Sequence, residues 1–171
     1  MAYITESRRD NGFFPNFSIA QNIAISRSLK DGGYKGAMGL FHEVDEQRTA
    51  EAQRELLALK CHSVNQNITE LSGGNQQKVL ISKWLCCHPE VIIFDEPTRG
   101  IDVGAKAEIY KVMRQLADDG KVILMVSSEL PEIITVCDRI AVFCEGRLTQ
   151  ILTNRDDMSE EEIMAWALPH E

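Results

Sequence analysis

Two short stretches hold the residues best suited to chemistry. One is Leu71-Ser72-Gly73-Gly74-Asn75-Gln76-Gln77, and the other is Val91-Ile92-Ile93-Phe94 followed by Asp95 and Glu96. A short, continuous apolar run reads as a buried parallel strand. Ligands of such sheets sit beyond the carboxyl ends of the strands, where Asp95 and Glu96 emerge. An Asp there can hold magnesium, and an adjacent Glu can polarise an attacking water. In the first stretch Ser72 offers a hydroxyl, and Gly73 and Gly74 let backbone approach an anion without a Cβ in the way. A helix opening at that turn presents unpaired N–H groups and a positive dipole end to phosphate. Gln76 and Gln77 add polar reach. Each stretch has a plainer reading alone, a loop with an N-cap for one and a solvated acidic pair at a strand end for the other. In this order, bridged by one helix over about 75–87, they describe a site for a nucleotide triphosphate and its magnesium ion.

The elements that must position these residues alternate. Tyr3-Ile4-Thr5 reads as a strand ending at Glu6, and residues 7–40 as irregular chain punctuated by Gly12, Pro15 and the glycines from Gly32 to Gly39. Within that stretch 18–25 form a short helix, with Ser18 as cap and Gln21 at the capping-box position. Helices follow over 43–59 and 103–117, the latter with Ala105, Ile109, Val112 and Leu116 on one face. Gly120-Lys121 turns into a strand at 122–126, then come a short helix at 131–137 and a strand at 140–144. Glu145-Gly146 is a hairpin turn into 147–152, and Ser159 with Glu162 makes a second capping box before a last helix. Alternating strands and helices give an α/β fold with a largely parallel sheet.

Composition narrows the classes. The chain has 171 residues, is 44% hydrophobic and carries a formal charge of −8. That suits one ordinary core and argues against a nucleic-acid surface, which normally carries a basic patch. The largest apolar runs, such as Val122 to Val126, are far too short to span a bilayer, and no secretory signal follows Met1. Cys61, Cys86, Cys87, Cys137 and Cys144 include no C-x-x-C pair, which favours reduced thiols over a zinc site.

The motifs resemble those of ABC-transporter ATPases, specifically the second nucleotide-binding domain of the two-domain sugar-importer class. Leu71 to Gln77 is similar to the LSGGQ-type signature, Val91 to Glu96 to the Walker B strand with its catalytic glutamate, and Thr98 to Lys106 to the D-loop region. The resemblance covers almost the whole chain and implies ATP and Mg2+ as cofactors. It puts Glu96 in the catalytic position, Asp95 and Glu6 beside the metal, and Ser72, Gly73, Gly74, Gln76, Asp102 and Ser128 around the nucleotide. It divides the chain into a helical and signature subdomain at 7–88 and a Walker B, D-loop and C-terminal core at 89–171. It implies a permease subunit as partner, docked by the helical subdomain, and a second ATPase domain or copy in a head-to-tail pair. In that pair each ATP lies between one partner's P-loop and the other's signature turn. The implied location is cytoplasmic, peripheral on the inner face of the bacterial plasma membrane. For the stretch Ser7 to Phe14 the choice stays open between a surface gripping a permease helix and a loop with Phe13 or Phe14 tucked into the core.

The sequence departs from that family pattern in three places. No G-x-x-x-x-G-K-[ST] motif occurs, so the fold expected is a partial P-loop NTPase domain whose P-loop strand is missing, in a chain that begins just ahead of the Q-loop. The Q-loop position is Glu6 rather than glutamine, and the switch position is Ser128 rather than histidine. A serine hydroxyl is shorter than imidazole and carries no titratable charge. Three functions fit: the ATP-binding component of a monosaccharide importer, inactive alone; a non-catalytic docking module for a permease or partner ATPase; and an ABC ATPase of the DNA-repair or translation type. The third usually needs coiled-coil insertions or basic linkers, which an acidic, compact chain does not show.

Overall fold

The computed structural model describes residues 1–7, 11–31 and 43–169, so the readings made for Arg8, Arg9, Asp10 and the stretch 32–42 lie outside the described residues. Two compact units make up the chain, Met1–Val126 and Ser127–Glu171.

In the first unit three parallel strands, β1 (Ala2–Ile4), β2 (Val91–Asp95) and β3 (Val122–Val126), lie in the order β1-β2-β3. Ile4 is in register with Phe94, and Asp95 with Val126. The chain therefore leaves β1 and β2 at one edge of the sheet, bringing Glu6, Asp95 and Glu96 to the same side. This is the α/β, parallel-sheet architecture expected.

Four α-helices among the described residues accompany this sheet. The first, α1 (Ile19–Asp31), opens with both bonds of a capping box: the Gln21 N–H donates to Ser18 Oγ at 3.2 Å, and the Ser18 N–H to Gln21 Oε1 at 2.9 Å. It runs well beyond the short helix expected. The second, α2 (Glu43–Leu56), stops earlier than its charge pattern suggests, because Ala58 turns to φ 47° and the Leu59 N–H reaches back to the Arg54 carbonyl at 2.9 Å. Next, α3 (Gly73–Leu85) starts directly after Ser72, and α4 (Val103–Asp118) buries Ile109, Met113 and Leu116. Val112, expected in the core, is only half-buried, because the true stripe follows the i, i+4, i+7 spacing through Met113. Gly120, at φ 82°, closes α4, with its N–H on the Ala117 carbonyl at 2.9 Å and that of Lys121 on Leu116 at 3.0 Å. The Gly-Lys pair thus ends α4 as well as making the turn into a strand that the sequence suggested.

The core of this unit lies where α1, α3 and β1 meet, with Ile4, Ile19, Ile23, Leu80, Ile81 and Phe94 fully buried. Each such side chain contributes on the order of 1.5–3 kcal/mol through removal from water. Two buried polar groups fix the 11–18 segment onto the helices. The Asn22 side chain accepts from the Phe14 N–H at 2.8 Å and donates to the carbonyls of Phe14 and Ser18 at 3.1 and 3.0 Å. Lys83 donates to the Gly12 carbonyl at 2.6 Å, and burial lowers its pKa. Phe13 goes into the core, while Phe14 stays exposed and stacks on Phe17 with ring centroids 5.1 Å apart.

β3 contrasts with its neighbour. All five of its residues are apolar, none is buried, and Val122, Leu124 and Val126 are each more than half exposed. As an edge strand it has only β2 for a partner among the described residues.

The second unit consists of α5 (Leu130–Val136), the antiparallel hairpin β4 (Arg139–Cys144) and β5 (Arg147–Thr153), and α6 (Glu160–Ala167). Glu145 and Gly146, at φ 50° and 76°, supply the two left-handed residues of a tight hairpin turn. Ile140, Val142, Met158 and Ile163 form its core. The second capping box is only half made: Glu162 N–H donates to Ser159 Oγ at 3.2 Å, but the Glu162 carboxylate is held by Arg155.

Candidate functional site

The turn ahead of α3 is built from within. Ser72 sits at the N-cap, and its carbonyl accepts the Gln76 N–H at 2.9 Å. Its hydroxyl does not cap the helix and instead accepts from the Asn75 side-chain amide at 2.9 Å. The other end of the Asn75 amide accepts the Lys60 N–H at 2.9 Å, so the turn is tied to the segment leaving α2. With no cap from Ser72, the α3 N-terminus keeps the electropositive character that attracts anions.

Two residues read as anion-facing have structural partners. A Cβ on Gly74 would lie 2.6 Å from Ala105 Cβ, so this glycine permits the close approach of α3 and α4. Gln76 is buried and donates to the Leu71 carbonyl at 3.1 Å and the Ile68 carbonyl at 3.4 Å. Its amide nitrogen braces the turn from beneath. The reason is the helical position itself, since Gln76 falls on the face of α3 that the rest of the unit covers.

At the end of β2, Asp95 receives a hydrogen bond of 2.5 Å from the Tyr3 hydroxyl, and that carboxylate holds the Tyr3 phenol above its ordinary pKa. Glu96 follows at φ 47°, a left-handed conformation that costs a non-glycine residue energy, with its N–H bonded to the Val126 carbonyl at 2.9 Å. Its own carbonyl accepts the Arg99 N–H at 3.2 Å, and the Thr98 carbonyl accepts that of Ile101 at 3.1 Å. These successive turns deliver Asp102 to the head of α4, where Oδ1 accepts the Ala105 N–H at 3.0 Å. In this structure Asp102 is therefore the helix cap. Glu6 forms an ion pair with Arg99, so its carboxylate faces a guanidinium rather than joining Asp95. Ser128 lies at the start of the second unit and is exposed.

The residues thus fall into two groups. Ser72, Gly73, Gly74 and Gln76 share one turn, whereas Glu6, Asp95 and Glu96 share the carboxyl edge of the sheet. Among the described residues no group of three His, Cys, Asp or Glu side chains is arranged to hold a metal. Asp95 and Glu6 are the right kind of donor for magnesium, which commonly takes one or two carboxylates and completes its shell with substrate phosphates and water. Sequence reasoning missed Tyr3, Asn75 and Arg99. Arg99 had a readable signal, a lone cation just past two acids; Tyr3 and Asn75 become partners only once β1 lies beside β2 and residue 60 beside α3.

Comparison with known proteins follows the same outline. A family model described as "ABC transporter" matches residues 1–99. The chain is 98% identical over its full length to the D-allose import ATP-binding protein AlsA of Escherichia coli, covering 34% of that protein. It is 47% identical over 98% of its length to a ribose import ATP-binding protein RbsA of Bacillus cereus, covering 33% of it. It is also 47% identical over 96% of its length to the L-arabinose transport ATP-binding protein AraG of Geobacillus stearothermophilus, covering 31%. The chain therefore spans about a third of the length of the curated relatives it matches. Among solved structures, the ATP-binding cassette MJ1267 superposes with a TM-score of 0.75 at 20% identity, over 96% of this chain and 67% of that one. The dimeric post-hydrolysis structure of MJ0796 with ADP and Pi gives 0.71 at 22% identity, over 90% and 62%. These likenesses establish a shared cassette fold.

Proposed function

The chain belongs to the ABC transporter family, and from that premise we propose that it serves as the C-terminal, ATP-handling part of a monosaccharide importer. Its similarity to the D-allose import protein makes D-allose the sugar of first choice. The observation that carries the proposal is the preorganised signature turn, held by Asn75, Gln76 and Gly74 at the mouth of α3.

In this reading Ser72, Gly73 and the first N–H groups of α3 meet the phosphates of an ATP held by another polypeptide's P-loop. Gln76 positions those N–H groups, and Asp102 sets the start of α4 beside them. Ser128, in the switch position that the family resemblance implies, belongs with Asp95 and Glu96 to the chain's own site rather than to the partner's. Asp95, with Glu6 once released from Arg99, would hold Mg2+, which supplies charge neutralisation on the phosphates when bound. Glu96 orients and polarises the attacking water. Residues 7–88 act as the helical and signature subdomain, and 89–171 as the Walker B, D-loop and C-terminal core. The partners are a permease subunit and a second ATPase domain or copy, at the cytoplasmic face of the membrane. Among the described residues no helix is long and apolar enough to cross that membrane itself.

Phosphoryl transfer depends mostly on positioning and charge stabilisation, and this sequence contains no P-loop motif to supply either at the β-phosphate. The chain alone should therefore turn over ATP negligibly. Steady-state phosphate release tests this: a rate above background that disappears in Glu96→Gln would show that the chain has its own complete site.

A further inference from the structure

A cleft of about 380 Å3 opens between the end of α2 and α4, with Lys78 of α3 at its back. The volume falls within the usual range for small-molecule sites, roughly 300–1,000 Å3. Its walls are largely apolar, from Leu56, Leu57, Val112 and Leu116. Its charged groups are Lys60, Lys78 and Lys111 against Glu108 and Asp119, a surplus of one positive charge. Lys78 is a buried cation fixed at the back, its ammonium donating to the Ala58 carbonyl at 3.1 Å and to Glu108 at 2.8 Å. Lys60, 74% exposed, approaches the other oxygen of Glu108 at 2.9 Å. One carboxylate thus serves two lysines, and Lys111 lies exposed at the rim.

We propose that this cleft is a binding site for a small amphipathic anion, a carboxylate on a short alkyl chain, which lays its tail along Leu56, Val112 and Leu116 and its head between Lys60 and Lys111. The site is wired to the signature turn. The Lys60 N–H bonds Asn75, and Asn75 bonds the Ser72 hydroxyl, each at 2.9 Å. An occupant that shifts Lys60 therefore pulls on Ser72 through a single side-chain amide. The proposal does not depend on the importer reading, because it concerns only binding and its local consequence.

Titration of the 15N-labelled 171-residue chain with octanoate tests it, with acetate and octyltrimethylammonium as controls. Saturable octanoate binding with a Kd on the order of 1 mM or tighter is expected, at least about tenfold tighter than the cationic amphiphile, with none for acetate. Lys60→Gln with Lys111→Gln, both at exposed side chains, should weaken octanoate about tenfold. Octanoate should also move the Ser72 amide resonance in the parent chain, and in Asn75→Ala it should still bind while that movement is lost. Equal affinity for the cationic amphiphile, no effect of the lysine substitutions, or no saturable octanoate binding would overturn the site. Persistence of the Ser72 shift in Asn75→Ala would overturn the connection to the turn.

Discussion

The turn ahead of α3 and the carboxyl edge of β2 are finished to different degrees. At the turn the side chains of Asn75 and Gln76 are engaged by the protein, Asn75 on Ser72 and Lys60 and Gln76 on two carbonyls, and Gly74 leaves no room for a Cβ against Ala105. At the sheet edge the acids are engaged by groups that an incoming ligand can displace. Tyr3 lies on Asp95, Arg99 pairs with Glu6 where both are substantially exposed, and Glu96 is held at a strained φ. On the function proposed above, the difference teaches that a surface completing a site on another polypeptide can be preformed by packing, whereas a site that must itself gather phosphate and metal keeps exchangeable partners.

Substitutions can break this contrast or sharpen it. The largest effect is expected from Gly74→Val, whose side chain meets Ala105 Cβ on a neighbouring helix that cannot yield locally. It should cost about 3 kcal/mol in urea unfolding, at the upper end for overpacking. Gly74→Ala combined with Ala105→Gly should recover much of the loss seen in Gly74→Ala alone. Gln76→Leu comes next at about 1–2 kcal/mol, because it removes the buried donor to the Leu71 carbonyl, while the Ile68 carbonyl keeps the Leu71 N–H. At the other region Glu96→Gly should act in the opposite direction, stabilising by about 1 kcal/mol as the left-handed strain is relieved. Glu6→Gln should change stability by no more than about 0.5 kcal/mol, since the Arg99 pair is exposed.

Acid sharpens the same division. Hydrogen bonds from Lys78 and then Lys60 depress the Glu108 carboxyl to about 2 from 4.5. A carboxylate lowered in the folded state stabilises above its unfolded value and loses that contribution as pH falls through the folded one. The α3–α4 tie should therefore weaken as pH falls from about 4.5 to 2. Stability measured against pH should lose part of its acid limb in Glu108→Gln.

Much of this was legible in the chain. The strand at 91–94, which the structure extends to Asp95, the helix bridging the motifs and the capping box at Ser18 follow from local pattern, because each is decided by neighbours within four residues. The Glu145-Gly146 turn was legible for the same reason. What escaped was decided at long range. Gln76 points inward and Val112 yields to Met113 because of which helix lies opposite, and Glu6 pairs with Arg99 because β1 lies beside β2. Composition also cannot separate β2 from β3. Both are apolar runs, yet one is covered and the other open, a difference set by the neighbours each strand has. Such an open, apolar edge suits pairing with a further strand.

Equilibrium binding of Mg-ATP to the chain alone, with Asp95→Ala beside it, tests the central claim most directly. If the signature turn works only against ATP held by another polypeptide, neither protein should bind at micromolar nucleotide. Micromolar binding by the parent chain that is lost in Asp95→Ala would contradict the claim and show that the carboxyl edge of β2 gathers its nucleotide unaided.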